Sequence, residues 1–168
     1  MHKSDEQNAT VSADDYLAIS QFIYRETDLL DCRDWHQWLD LFTEDGLYWA
    51  PAAPEQLDGL NHVSLIFDDT LLRRVRVARY ETPYAFSLQP FPRSSHLVSN
   101  IIVESDTASE IVVTARFIMA EYQRENPIFY AGSYRYCLIK KDGSFKIREK
   151  KAELINCDGP LPSSHIYF

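Results

Sequence analysis

The chain is poor in the residues from which metal centres and disulfide frameworks are built. Its 168 residues include three cysteines and five histidines. Cys32, Cys137 and Cys157 are odd in number and far apart, which argues against a disulfide scaffold and fits reduced thiols. No apolar run approaches the roughly eighteen residues needed to cross a bilayer. The opening MHKSDEQNATVSADD has no apolar signal-peptide core. Cations are also scarce, 17 against 25 acids, and the net charge of −8 disfavours nucleic acid as a partner. A cytoplasmic protein is expected.

Apolar and aromatic side chains are plentiful. Hydrophobic residues make up 45% of the chain and aromatics 13%, enough for one domain that buries roughly 70% of its unfolded surface. Residues 1–11 are polar and aperiodic and are expected to form a loose tail. Ser12 followed by Asp15 reads as a capping box. Tyr16, Ile19, Ile23 and Leu30 then keep a helical stripe, with Phe22 and Leu29 alongside. Asp34 is placed to cap a second helix with Trp35, Trp38, Leu39 and Phe42 on one face, and Gly46 at its C-terminal stop. Trp35, Trp38 and Trp49 are expected in the core. LYWAPA reads as a short strand. A third helix is expected over 68–80, with Leu71, Leu72, Val75 and Ala78 inward and Asp68 or Asp69 at its N-terminal end.

From His96 the period changes to two. HLVSNIIVES, SEIVVTARFIMAEYQ, IFYAGSYRYCLIKK and SFKIREKKAELIN read as four strands. Asp142-Gly143 is a hairpin signal that pairs Leu138 with Ile147, Tyr136 with Glu149 and Tyr134 with Lys151. Helices followed by a long meander imply an α+β fold: a curved antiparallel sheet forming a cone, with the N-terminal helices on its concave face. The domain is expected to span residues 1–168.

Three segments in fixed order carry a resemblance: SLIFDD, then RRVRVAR, then RSSHLVSN. YRETDLLDCRDWHQWLDLFTEDGLYWAP before them and KKAELINCDGPLP with HIYF after them agree with it. Together they resemble the small (beta) subunits of Rieske-type aromatic-ring-hydroxylating dioxygenases, which share the cone typified by nuclear transport factor 2. The resemblance implies a non-catalytic subunit without a cofactor of its own. Its alpha partner would carry a Rieske [2Fe–2S] cluster and a mononuclear iron, in an α3β3 assembly with beta–beta contacts. Electrons would come from NAD(P)H through a reductase, sometimes with a ferredoxin, and pass from one alpha subunit's cluster to its neighbour's iron.

The residues agree with a chain that lacks such centres. A Rieske cluster takes paired Cys and His ligands, and here no cysteine has a histidine within three positions. His2, His36, His62, His96 and His165 include no close pair for a mononuclear iron site. The candidate subunit contacts are Arg74, Arg76, Arg79, Arg93 and His96, with Tyr167 and Phe168 from a tail that should dock on its own domain or on a partner. Arg73 belongs to the same arginine cluster. Two alternatives stand beside the subunit reading. One is a stand-alone isomerase or dehydratase using His96 with Asp68 or Asp69 and a tyrosine, Tyr134 or Tyr136. The other is a small-ligand-binding domain.

Overall fold

In the computed structural model, which describes residues 11–162 and 164–168, three helices precede most of a six-stranded sheet. Apart from Val11, the expected polar tail lies outside the described residues. Helix α1 (Ala13–Cys32) starts as its sequence indicates: the Ser12 side chain accepts the Asp15 N–H. It ends without glycine. Arg33 adopts the left-handed conformation, φ 62°, and its N–H closes onto the Leu29 and Leu30 carbonyls. Helix α2 (Trp35–Asp40) is capped by Asp34 and buries Trp35 and Trp38.

The second helix stops sooner than expected. Strand β1 (Phe42–Pro51) begins at once and contains Gly46, which is therefore no helix stop. A Cβ at position 46 would lie 3.0 Å from the Ile147 carbonyl, so glycine serves close strand approach there. Strand β2 (Ser64–Asp68), unmarked by periodicity, pairs antiparallel with β1. Strands β3 (Arg93–Asp106), β4 (Glu110–Gln123), β5 (Asn126–Lys141) and β6 (Ser144–Leu154) form the meander. The sheet order is β2-β1-β6-β5-β4-β3. Its β1–β6 pair is parallel, so the sheet is not antiparallel throughout.

Helix α3 (Thr70–Glu81), capped by Asp69, has the opposite face buried from the one expected. Leu71, Leu72 and Val75 are 68%, 48% and 57% exposed, and Ala78 is exposed. Arg73, Val77 and Tyr80 point inward. The long Arg73 stem acts as an apolar body. Its guanidinium stacks on the Phe42 ring at 4.1 Å and donates to the Gly46 and Asp68 carbonyls.

The β5–β6 hairpin turns on Asp142 and Gly143, φ 51° and 75°, as its sequence indicates. Leu138 faces Ile147, but a bulge follows, and Cys137 then pairs with Glu149. Tyr136 consequently faces Lys150, and Tyr134 faces Ala152. The bulge shifts every later β6 side chain by one position and turns Lys150 into the cone.

Candidate contact surfaces around a filled interior

Lys150 meets Glu26 from α1 in the middle of the core, and both side chains are fully buried. The ammonium donates to Glu26 Oε1 at 2.9 Å, to Oε2 at 2.8 Å and to the Phe168 carbonyl at 3.3 Å. Trp38 Nε1–H donates to Oε1 at 2.7 Å and Tyr136 OH to Oε2 at 3.0 Å. Tyr48 OH donates to the Phe168 carbonyl at 2.8 Å and accepts its N–H at 3.1 Å. Burial lowers the Lys150 pKa against the pull of Glu26, and burial beside Glu26 raises those of Tyr48 and Tyr136. Neither member of the ion pair is free to act as an acid, base or nucleophile, because each is held by several partners.

The tail packs into the same interior. Ile166, Tyr167 and Phe168 are 4%, 1% and 4% exposed. Tyr167 OH donates to Asp68 Oδ2 at 2.7 Å, and its ring lies 4.6 Å from Trp38 and 4.5 Å from Tyr48. Asp68 also takes a forked pair from Arg76, Nε at 2.6 Å and Nη2 at 3.0 Å. That contact raises the Arg76 pKa. Arg76, Tyr167 and Phe168, expected as subunit contacts, are thus engaged within their own subunit.

His96 is also turned inward. Its side chain is fully buried, with Nδ1 2.7 Å from Asp31 Oδ1 and its backbone N–H on Oδ2 at 2.7 Å. Burial raises the Asp31 pKa, but the His96 contacts and the Ser94 hydroxyl outweigh it and leave it below the usual value. The pairing of His96 with Asp68 or Asp69 does not occur. Asp68 holds Arg76 and Tyr167, and Asp69 caps α3. The Asp31–His96 clasp instead ties the end of α1 to β3. Asp31 and Glu26 carried no signal beyond their places on the α1 helix, where a polar residue reads as solvent-facing.

The groups left facing outward are different ones. Arg74 makes no hydrogen bond or ion pair among the described residues, and Arg79 has only the Ser87 hydroxyl at 3.1 Å. They flank the exposed Leu71 and Val75 of α3. A groove of about 820 Å³ runs beside Arg74, bounded by His36, Glu44, Glu81 and Lys146. On the opposite side of the sheet, Leu97 faces Ile118, which faces Ala131, and Ser95 faces Ala120, which faces Phe129. Leu97, Ile118 and Phe129 are 66%, 49% and 69% exposed, and Arg93 lies over the Tyr122 ring at 5.0 Å. Among the described residues no group of three or more His, Cys, Asp or Glu side chains is placed to hold a metal ion. No described helix is long and apolar enough to cross a membrane.

Comparison with known proteins gives these surfaces a context. A nuclear transport factor 2-like protein with a cystatin-like fold from Novosphingobium aromaticivorans superposes with a TM-score of 0.62 at 14% identity, over 85% of this chain and 83% of that one. The architecture is therefore the cone of that fold. The beta subunit of the benzoate 1,2-dioxygenase from Burkholderia mallei superposes with a TM-score of 0.74 at 28% identity, over 94% of this chain and 99% of that one. The small oxygenase component of the p-cumate 2,3-dioxygenase system of Pseudomonas putida is 36% identical over 138 residues, 81% of this chain and 77% of that protein. Residues 25–158 match the family model described as ring hydroxylating beta subunit. That stretch begins at the turn of α1 that carries Glu26 and runs past the last strand, so the chain belongs to the family of ring-hydroxylating dioxygenase beta subunits.

Proposed function

We propose that this chain is the assembly subunit of a cytoplasmic oxygenase acting on an aromatic carboxylate. It would hold alpha subunits, which carry the Rieske cluster and the mononuclear iron, in an α3β3 ring supplied with electrons by a reductase. The observation that carries the proposal is the filled interior. Small molecules bind in concave, largely preformed pockets, and here the middle of the cone is occupied by the Glu26–Lys150 pair and by Tyr167 and Phe168. An iron centre does not fit the described side chains, so the redox chemistry belongs to the partner. The substrate class rests on the relatives: p-cumate and benzoate, named for two of them, are both aromatic carboxylates.

Arg74 and Arg79 supply the contact with the alpha subunit. Guanidinium groups with no carboxylate partner among the described residues, beside exposed Leu71 and Val75, suit a surface that presents carboxylates and apolar side chains. Co-expression with the cognate alpha subunit should give a brown, iron-containing complex several times the mass of either chain. That complex should consume oxygen with an aromatic acid and NAD(P)H when a reductase is supplied. Arg74→Glu with Arg79→Glu should weaken the complex at least tenfold while leaving the isolated chain's stability within about 0.5 kcal/mol. Turnover by this chain alone, or an undiminished complex with the double variant, would refute the assignment.

A further inference from the structure

A recess of about 230 Å³ opens between strand β2, helix α3 and the C-terminal tail, beside the filled middle of the cone. Leu65, Ile66, Leu161 and Phe168 give it apolar walls, and Arg76, Tyr130 and Ser164 bring polar groups to it. Its volume falls below the roughly 300–1,000 Å³ of sites for drug-sized molecules, so a single ring is the fitting occupant.

Three polar groups around this recess lack the partners that burial demands. Tyr130 is 2% exposed, yet its hydroxyl has no hydrogen-bond partner among the described residues. Arg76 commits Nε and Nη2 to Asp68, which leaves Nη1 without an acceptor among the described residues. Glu121, on β4, is also 2% exposed and forms no ion pair among the described residues. The Ser164 hydroxyl lies 3.4 Å from Glu121 Oε2, but its single proton has a closer acceptor in the Ile166 carbonyl at 2.9 Å. Burial raises the Glu121 pKa, and burial beside Glu121 pushes the Tyr130 hydroxyl up to about 12.

Charge selects the ligand. Asp68 already balances the Arg76 guanidinium, and Glu121 adds a carboxyl with no cation, so a further anion would be left uncompensated. A further cation would sit against Arg76. A neutral ring bearing hydroxyl groups meets neither cost. One hydroxyl can donate toward Glu121 and pair with Tyr130, another can accept from Arg76 Nη1, and the ring lies against the apolar walls. We propose that this recess is a binding site for a neutral, hydroxylated aromatic ring, held by Tyr130, Arg76 and Glu121. The site holds its ligand whether or not the chain performs the assembly role proposed above.

The test uses the full chain, purified without an alpha subunit, isotope-labelled and titrated with catechol in the absence of oxygen. Binding should saturate with a dissociation constant of about 1 mM or tighter, and the amide signals of Tyr130, Ser164 and Ile166 should move. Benzoate, an anionic single ring, should bind about tenfold more weakly, and Glu121→Gln should narrow that gap. Tyr130→Phe removes a hydroxyl that has no protein partner, so it should keep the fold and weaken catechol about fivefold. Leu161→Trp, at a half-buried position, should fill the recess and abolish binding with an unchanged circular dichroism spectrum. No saturation by about 10 mM catechol, equal affinity for benzoate, or affinity unchanged in both the Tyr130 and Leu161 variants overturns the site. Capture of an alpha subunit plays no part in these readings, so a failed titration leaves the assembly role standing and a failed capture leaves the site standing.

Discussion

Replacing Lys150 by methionine isolates what the buried ion pair contributes. Methionine keeps an unbranched stem, so packing changes little, but the ammonium and its hydrogen bonds to Glu26 and the Phe168 carbonyl are lost. Glu26 keeps the Trp38 and Tyr136 donors and stays fully buried with no cation. Breaking a buried pair in this way costs roughly 3–5 kcal/mol. Protonation sets a ceiling on that cost. A carboxyl that titrates near 4.3 when unfolded can take a proton at pH 7 for about 3.7 kcal/mol, at about 1.36 kcal/mol per unit.

The two figures agree, so the variant should fold with a protonated Glu26, and its deficit should depend on pH. Above about pH 4.3 its native state then binds one proton more than its unfolded state. Stability therefore falls as pH rises, by about 1.4 kcal/mol per unit relative to wild type. Urea unfolding at fixed protein concentration should show a deficit of roughly 3.7 kcal/mol at pH 7 and about 2 kcal/mol less at pH 5.5. In a thermal melt the pH 7 deficit corresponds to roughly 7–15 °C for a chain of this length. Adding Glu26→Gln should remove the pH slope and recover part of the loss, because no buried charge is then left alone. A deficit under about 1 kcal/mol at pH 7, or one equal at both pH values, would refute this account.

The Asp31–His96 clasp should appear on the acid side. A carboxyl with a lowered folded pKa gives stability that is present above its unfolded pKa and lost as pH falls through the folded one, so loss should begin below about pH 4. Asp31→Asn should flatten that acid limb in urea titrations at pH 2.5 to 5, and an unchanged limb would show that the clasp is not ionic. Gly143 sits at φ 75° with open space around it, so Gly143→Ala should cost about 1 kcal/mol through backbone strain alone. Asn at the same position, which tolerates this conformation better, should recover much of the loss; equal losses for both variants would point to a cause other than φ.

Apolar periodicity and turn chemistry made much of this fold legible. Ser12, Asp34 and Asp142-Gly143 each satisfy a local geometric need that no distant contact overrides, and the two helix starts and the hairpin turn they mark formed as expected. The failures share a different origin. Arg73, Glu26 and Lys150 are charged residues with interior partners far along the chain: Glu26 and Lys150 are 124 positions apart. A periodicity that counts charge as solvent-facing must invert α3 once Arg73 goes inward, and it did. The β5–β6 register failed because a bulge is one extra residue in an otherwise unbroken alternation, and nothing in SFKIREKK marks where it falls. That same bulge brings Lys150 to Glu26. The residues that fill the interior, and so separate this chain from enzymes that could use the same cone as a reaction chamber, are thus the ones local pattern is least able to reveal. The resemblance of SLIFDD, RRVRVAR and RSSHLVSN to the beta subunits supplied the function, but the closed interior is visible only once the strands are paired.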